Sequence, residues 1–164
     1  MSLRRRSYEP GHSPKFMVVI DDTPECDRAL YFASRRALRI GASVLMLRVI
    51  EMRDRNQQWL GVADIMRAEA HEEANAALDR SAARATSICG RPPERVIREG
   101  EMAEEILKLI EEDEDIALLI LAASSGTEGP GPLVSSLAKT AGTFPIPVAI
   151  VPGHLSDEDL DAMA

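Results

Sequence analysis

Residues 16–51 read FMVVIDDTPECDRALYFASRRALRIGASVLMLRVIE, and this stretch decides the fold. A short apolar run closes on two aspartates, the pattern of a buried strand. Thr23 and Pro24 follow as an N-cap residue and a first-turn proline, so the spacing predicts a helix starting at once. Ala29, Leu30, Phe32, Ala33, Ala37 and Leu38 recur at helical intervals and give that helix one apolar face. Gly41 ends it, and residues 43–49 read as a second strand.

The same alternation continues outward. Residues 51–63 hold the only tryptophan and show no clean period, which reads as a loop or flap that brings Arg53, Arg55, Gln57 and Trp59 near any ligand. A long helix is expected over 64–88, stopped by Gly90 and the Pro92–Pro93 pair. RVIRE is a third strand and GEMAEEILKLIEEDED a third helix, with Met102, Ile106, Leu109 and Ile110 on one side. IALLILA, LVSSLAKTAG and VAIVP supply a fourth strand, a fourth helix and a fifth strand, and Ser156 caps a terminal turn. Continuously apolar strands alternating with helices mark an α/β domain, a doubly wound five-stranded parallel sheet covered on both faces.

Of 164 residues, 45% are hydrophobic but only 4% aromatic, so aliphatic side chains and alanine must fill the core. Acidic residues outnumber basic ones 27 to 19, for a net charge of -8. That balance argues against a nucleic-acid partner, which needs a positive footprint. No apolar run reaches transmembrane length. Cys26 and Cys89 belong to no CxxC pair, which suits a reducing compartment, and a cytoplasmic protein is expected. Residues 1–14, rich in Arg, Ser, Gly and Pro, read as a flexible tail. Residues 15–152 form the domain, and 153–164 a C-terminal extension.

In such sheets ligands bind beyond the carboxyl ends of the strands. The residues placed there are 21–23, 49–52, 99–101 and 122–131. No GxSxG elbow is present, and none of the three histidines falls beside Ser124 or Ser125, so a catalytic triad is not expected. The loop after strand one has no glycine and the chain has no GK[ST], which excludes the dinucleotide fingerprint and the P-loop. Asp21 and Asp22 are oxygen ligands that suit Mg²⁺ beside phosphates. Scattered single histidines make no zinc site. Cys26, in the first turn of helix one, is either acidified by the helix end or an inert half-buried thiol.

Residues 16–51, the EGEMAEEILKLIEE segment, LLILAASSG and FPIPVAIVP together resemble the universal stress protein family, over roughly residues 15–152. The resemblance implies strand order 3-2-1-4-5, an adenine nucleotide alpha hydrolase-like arrangement. It also implies a homodimer paired through strand five, with contact to another protein as a further role. Some members bind ATP or AMP, without covalent attachment and with Mg²⁺ as a companion ion. Their motif is Gly, two residues, Gly, nine residues, then Gly–Ser or Gly–Thr. Here its positions fall on Ala122, Ser125, Ser135 and Ser136, so the spacing survives while all three glycines are replaced. Gly126 offers flexibility at a shifted position, and no Lys or Arg lies between Leu118 and Ala138. By the same resemblance Asp21, with Thr23 nearby, lies at the ribose and base, and Val49 flanks adenine. Two functions follow: a non-catalytic nucleotide-binding stress protein, or a relative that has lost strong binding and acts through dimerisation and protein contacts.

Overall fold

A computed structural model describes residues 4–51 and 60–164. Strand β1 (Lys15–Val19) leads into α1 (Cys26–Ile40), then β2 (Ser43–Ile50) and α2 (Leu60–Cys89). β3 (Glu94–Glu99), α3 (Met102–Glu112), β4 (Ile116–Ala123) and α4 (Pro132–Lys139) follow. β5 (Val148–Pro152) and a terminal α5 (Asp157–Met163) complete the order. The five strands form one sheet in the order β3-β2-β1-β4-β5, and every neighbouring pair is parallel. The doubly wound architecture expected from the sequence is the one the chain adopts.

Two cores flank this sheet because side chains alternate along each strand. Phe16, Val18, Ile20, Val44 and Met46 face α1, α2 and α5, where Ala29, Ala33, Ala37, Ala77 and Leu78 meet them. Small alanines at this contact let helices approach closely, which is how a chain poor in aromatics closes its core. Met17, Val19, Leu45, Leu47 and Val49 face the other way, onto Ile106, Leu109 and Ile110 of α3 and Val134 and Leu137 of α4. Each such fully buried aliphatic side chain contributes about 1.5–3 kcal/mol.

Helix boundaries show where local chemistry overrode the sequence pattern. Helix α1 starts at Cys26, not at Thr23, and Glu25 precedes it without a side-chain cap. Thr23 is occupied elsewhere: its amide and hydroxyl both donate to Asp21 Oδ1, at 3.0 and 2.5 Å. An aspartate that bonds its own backbone two residues on forms a local turn and withholds the hydroxyl from the helix. Gly41 ends α1 with φ 75°, as its lack of a Cβ permits. Helix α2 begins at Leu60, four residues before the expected start. Residues 52–59 of the expected 51–63 loop, with Arg53, Arg55, Gln57 and Trp59, lie outside the described residues. Helix α4 is shorter than expected, stopping at Lys139 before a 3-10 turn at Ala141–Thr143. Ser156 caps α5 reciprocally with Asp159.

Residues 4–14, read from composition as a flexible tail, lie against the segment entering β4, at the end of the sheet away from the strands' carboxyl termini. Arg5 Nη1 donates to Asp113 O at 2.9 Å, the Arg6 amide to Glu114 O at 3.0 Å, and Ser7 Oγ to Asp115 O at 2.9 Å. His12 Nδ1 lies 2.7 Å from Asp115 Oδ1. Among the described residues, no helix is long and apolar enough to cross a membrane.

Candidate functional site

β1 and β4 are adjacent in the sheet, yet α1 leaves one end of the pair toward one face and α4 serves the other. The split opens a crevice at their carboxyl ends, the place the fold rules indicate. Asp21 and Thr23 line it from the β1 side, Ala122 from β4, and Gly131, Pro132, Leu133 and Val134 from the start of α4. The inner part is narrow, about 50 Å³, room for a few waters rather than a base. It shares Glu25, Gly131 and Pro132 with a wider depression of about 470 Å³ that Ser124, Glu128 and Ser135 also line.

The loop after β4 is closed by the Ser124 amide donating to Pro130 O at 3.0 Å, while the Gly126 amide donates to Ser124 Oγ at 3.2 Å. Positive φ occurs at Gly129 (98°) and Gly131 (105°) and, among the described residues, at no residue other than glycine. Ala122, Ser125 and Ser135 therefore stand where the backbone does not demand glycine. The conformational freedom has moved to Gly129 and Gly131. Pro132 lacks an N–H, so Leu133 and Val134 carry the first donors of α4, which like those of any helix have no intrahelical partner.

The electrostatics of the crevice are one-sided. Asp21, Glu25 and Glu128 line it, with no Lys, Arg or His lining it among the described residues. Glu25 Oε1 sits 3.9 Å from where a Cβ on Gly131 would be, so its carboxylate lies against the start of α4. Sequence reasoning missed Glu25, because nothing in DDTPEC distinguishes it from an ordinary first-turn acid. Helix packing alone brings it to the loop.

The remaining expected site residues are dispersed. Asp22 does not line the crevice; Arg48 grips it through two contacts of 3.1 Å. Asp21 and Asp22 have different partners, and the described residues contain no cluster of three metal-ligating side chains. Val49 is buried in the α3–α4 core and lines none of these depressions. Ser125, Gly126 and Ser136 are exposed, and Ser135 reaches only the outer depression. Cys26 is the inert thiol of the two alternatives. Burial pushes it up to about 12, with Sγ 3.5 Å from Val19 O.

A separate ionic cluster closes the end of β3. Arg67 from α2 clasps Glu99 through Nε at 2.7 Å and Nη2 at 2.5 Å, and His71 Nε2 lies 3.2 Å away. The Arg67 hydrogen bonds, then that of His71, hold the Glu99 carboxyl down at about 2.

The universal stress protein family model matches residues 13–152, all five strands and four of the five helices. The chain belongs to that family. No curated protein matches the chain in sequence. Among solved structures, universal stress protein UspA from Lactobacillus plantarum superposes with a TM-score of 0.72 at 17% identity, over 84% of this chain and 97% of that one. A universal stress protein solved in complex with cAMP gives 0.61 at 16% identity, over 85% and 97%. The Archaeoglobus fulgidus universal stress protein solved in complex with dAMP gives 0.56 at 18%, over 84% and 97%. At these identities the likeness establishes the shared fold.

Proposed function

We propose that this universal stress protein is a non-catalytic stress-response protein whose β1–β4 crevice takes an adenine nucleotide with a single phosphate, AMP or a cyclic monophosphate, and disfavours ATP. The carrying observation is the charge of the crevice. A triphosphate would meet the carboxylates of Asp21, Glu25 and Glu128 with no basic lining residue among the described residues to offset them. Asp22 does not line the crevice and is already paired with Arg48, so Asp21 has no second aspartate there to hold Mg²⁺ as compensation. A single phosphate asks for less: the free amides at the start of α4 and the positive end of its dipole suit one anion. Asp21, already ordered by Thr23, would accept from the ribose hydroxyls. The relatives solved with cAMP and dAMP agree with this class of ligand.

The hydroxyl–carboxylate pair in the crevice, Thr23 with Asp21, closes a local turn, so the reading is of binding rather than turnover. The test is equilibrium titration of AMP into nucleotide-free protein and into Asp21→Ala. Saturable binding that Asp21→Ala weakens about tenfold, the worth of one charge-assisted hydrogen bond, supports the reading. Binding indifferent to Asp21 would sink it.

A second reading concerns partners, and β5 favours it. This edge strand leaves Ile150 48% exposed, and an apolar edge needs cover. A homodimer joined through β5 would supply it. A monomeric mass at high micromolar concentration would refute this.

A further inference from the structure

On the face of the sheet opposite the α4 side, α1, α2 and the end of β1 border a second cavity of about 380 Å³. Its apolar floor is Ile20, Leu30 and Ala77, all buried. The rim is polar and carries charges of both signs, and most of these already neutralise one another. Asp22 is held by Arg48. Asp27 is held by Arg28 at 2.5 Å and by Arg84 at 3.1 Å. Arg84 also lies 3.6 Å from Asp157 and stacks over Tyr31, 5.1 Å from the ring centroid.

Two rim charges remain. Arg80 stands one turn before Arg84 on the same face of α2. It has no hydrogen bond or ion pair within the described residues. Asp21 accepts only from Thr23 and has no cationic partner there. Beside Arg80, the Ser81 hydroxyl is likewise without a hydrogen-bond partner among the described residues, and both line the cavity. A cation and an anion that lack an opposite charge among the described residues, on the rim of a cavity with buried apolar lining, define a dipolar receptor.

We propose that this cavity is a second ligand site, for a small α-amino acid with an apolar side chain. Its carboxylate would pair with Arg80 and Ser81, its ammonium with Asp21, and its side chain would cover Ile20, Leu30 and Ala77. The alternatives fit less well. A phosphate brings two negative charges toward Asp21, Asp22 and Asp27. A plain carboxylate leaves Asp21 unpaired as its water is displaced, which is costly. The cavity size lies near the lower end of the range of about 300–1,000 Å³ for small-molecule sites. The site shares Asp21, Thr23 and Cys26 with the nucleotide crevice, but its anion-pairing groups, Arg80 and Ser81, come from α2 and line only this cavity, so it goes beyond the proposed function.

The experiment is calorimetric titration of the full chain with leucine, 4-methylpentanoate and inorganic phosphate. Leucine is expected to bind at least about tenfold tighter than either, one charge-assisted contact being worth that factor. Arg80→Gln should weaken leucine about tenfold, and Ser81→Ala by a smaller factor. Arg80 is exposed, and an unchanged circular dichroism spectrum confirms the variant's fold. The affinity of the Arg80→Gln protein for AMP should stay as in the parent. Leucine failing to bind, binding no better than 4-methylpentanoate or phosphate, or ignoring Arg80→Gln would each overturn the proposal. Because leucine is titrated without nucleotide, a failure of AMP binding leaves this outcome readable.

Discussion

Replacing Glu25 with glutamine isolates the electrostatic claim in one atom pair. The Glu25 carboxylate lies at the start of α4, 3.9 Å from a Cβ position on Gly131, where an incoming phosphate would seek the free amides. Two unit charges about 4 Å apart repel by about 1 kcal/mol in water and about 4 kcal/mol at an effective dielectric of 20. Glu25 is half-buried at the mouth of the crevice, so the lower part of that range applies, about 1–1.5 kcal/mol. Glu25→Gln should then tighten AMP about tenfold and leave adenosine, which has no phosphate, unchanged. The same change should lower the melting temperature slightly. A negative charge before α1 complements its dipole by about 0.3–1 kcal/mol, and glutamine gives that up. Better binding with poorer stability is an unusual pairing that generic loosening does not produce. Calorimetry with AMP and adenosine, beside a thermal melt, reads both. An unchanged AMP affinity, or an equal gain for adenosine, would refute the placement of phosphate at α4.

Other outcomes follow from packing and charge away from the crevice. A Cβ on Gly153 would stand 2.5 Å from the Ala123 carbonyl oxygen, so Gly153→Ala should cost about 1–3 kcal/mol in a urea titration. Glu99 has its carboxyl lowered to about 2, so the stabilisation it gives is present above its ordinary value near 4.5 and fades as pH falls toward 2. Arg67→Gln should flatten the pH dependence of stability in that window, and only slightly because Arg67 is exposed. A pH profile unchanged by the substitution would contradict it. With Cys26 raised to about 12 and Cys89 buried, neither thiol should react quickly with a thiol reagent at pH 8 until the protein is unfolded. A fast single-thiol phase in the native protein would show that Cys26 is activated after all.

The fold was legible in the sequence because its signals are long and mutually consistent. Runs such as MVVI and VLML can only be buried strands when helices with one apolar face separate them. Parallel pairing follows from those connections. The start of α1 was misjudged for a local reason: Thr23 has a competing acceptor two residues back, and pattern reading cannot tell which partner a hydroxyl chooses. A depression lies at the carboxyl ends of β1 and β4, where the fold rules point, but its charge was not legible in the sequence. Residue spacing gave Ala122, Ser125 and Ser135, whereas the positive backbone angles fall on Gly129 and Gly131. Asp21 and Asp22 look like a pair on paper. Local partners separate them: Thr23 takes one and Arg48 the other. Glu25 and Arg80 owe their importance to what packs beside them and to partners they lack, neither of which a single sequence records.

The central claim is that the crevice accepts one phosphate and rejects three. Side-by-side calorimetric titration of nucleotide-free protein with AMP and with ATP plus Mg²⁺ tests it most directly. The charge account predicts saturable AMP binding and ATP at least about tenfold weaker, from repulsion of about 1 kcal/mol or more for the added phosphate charge. ATP binding tighter than AMP would contradict it.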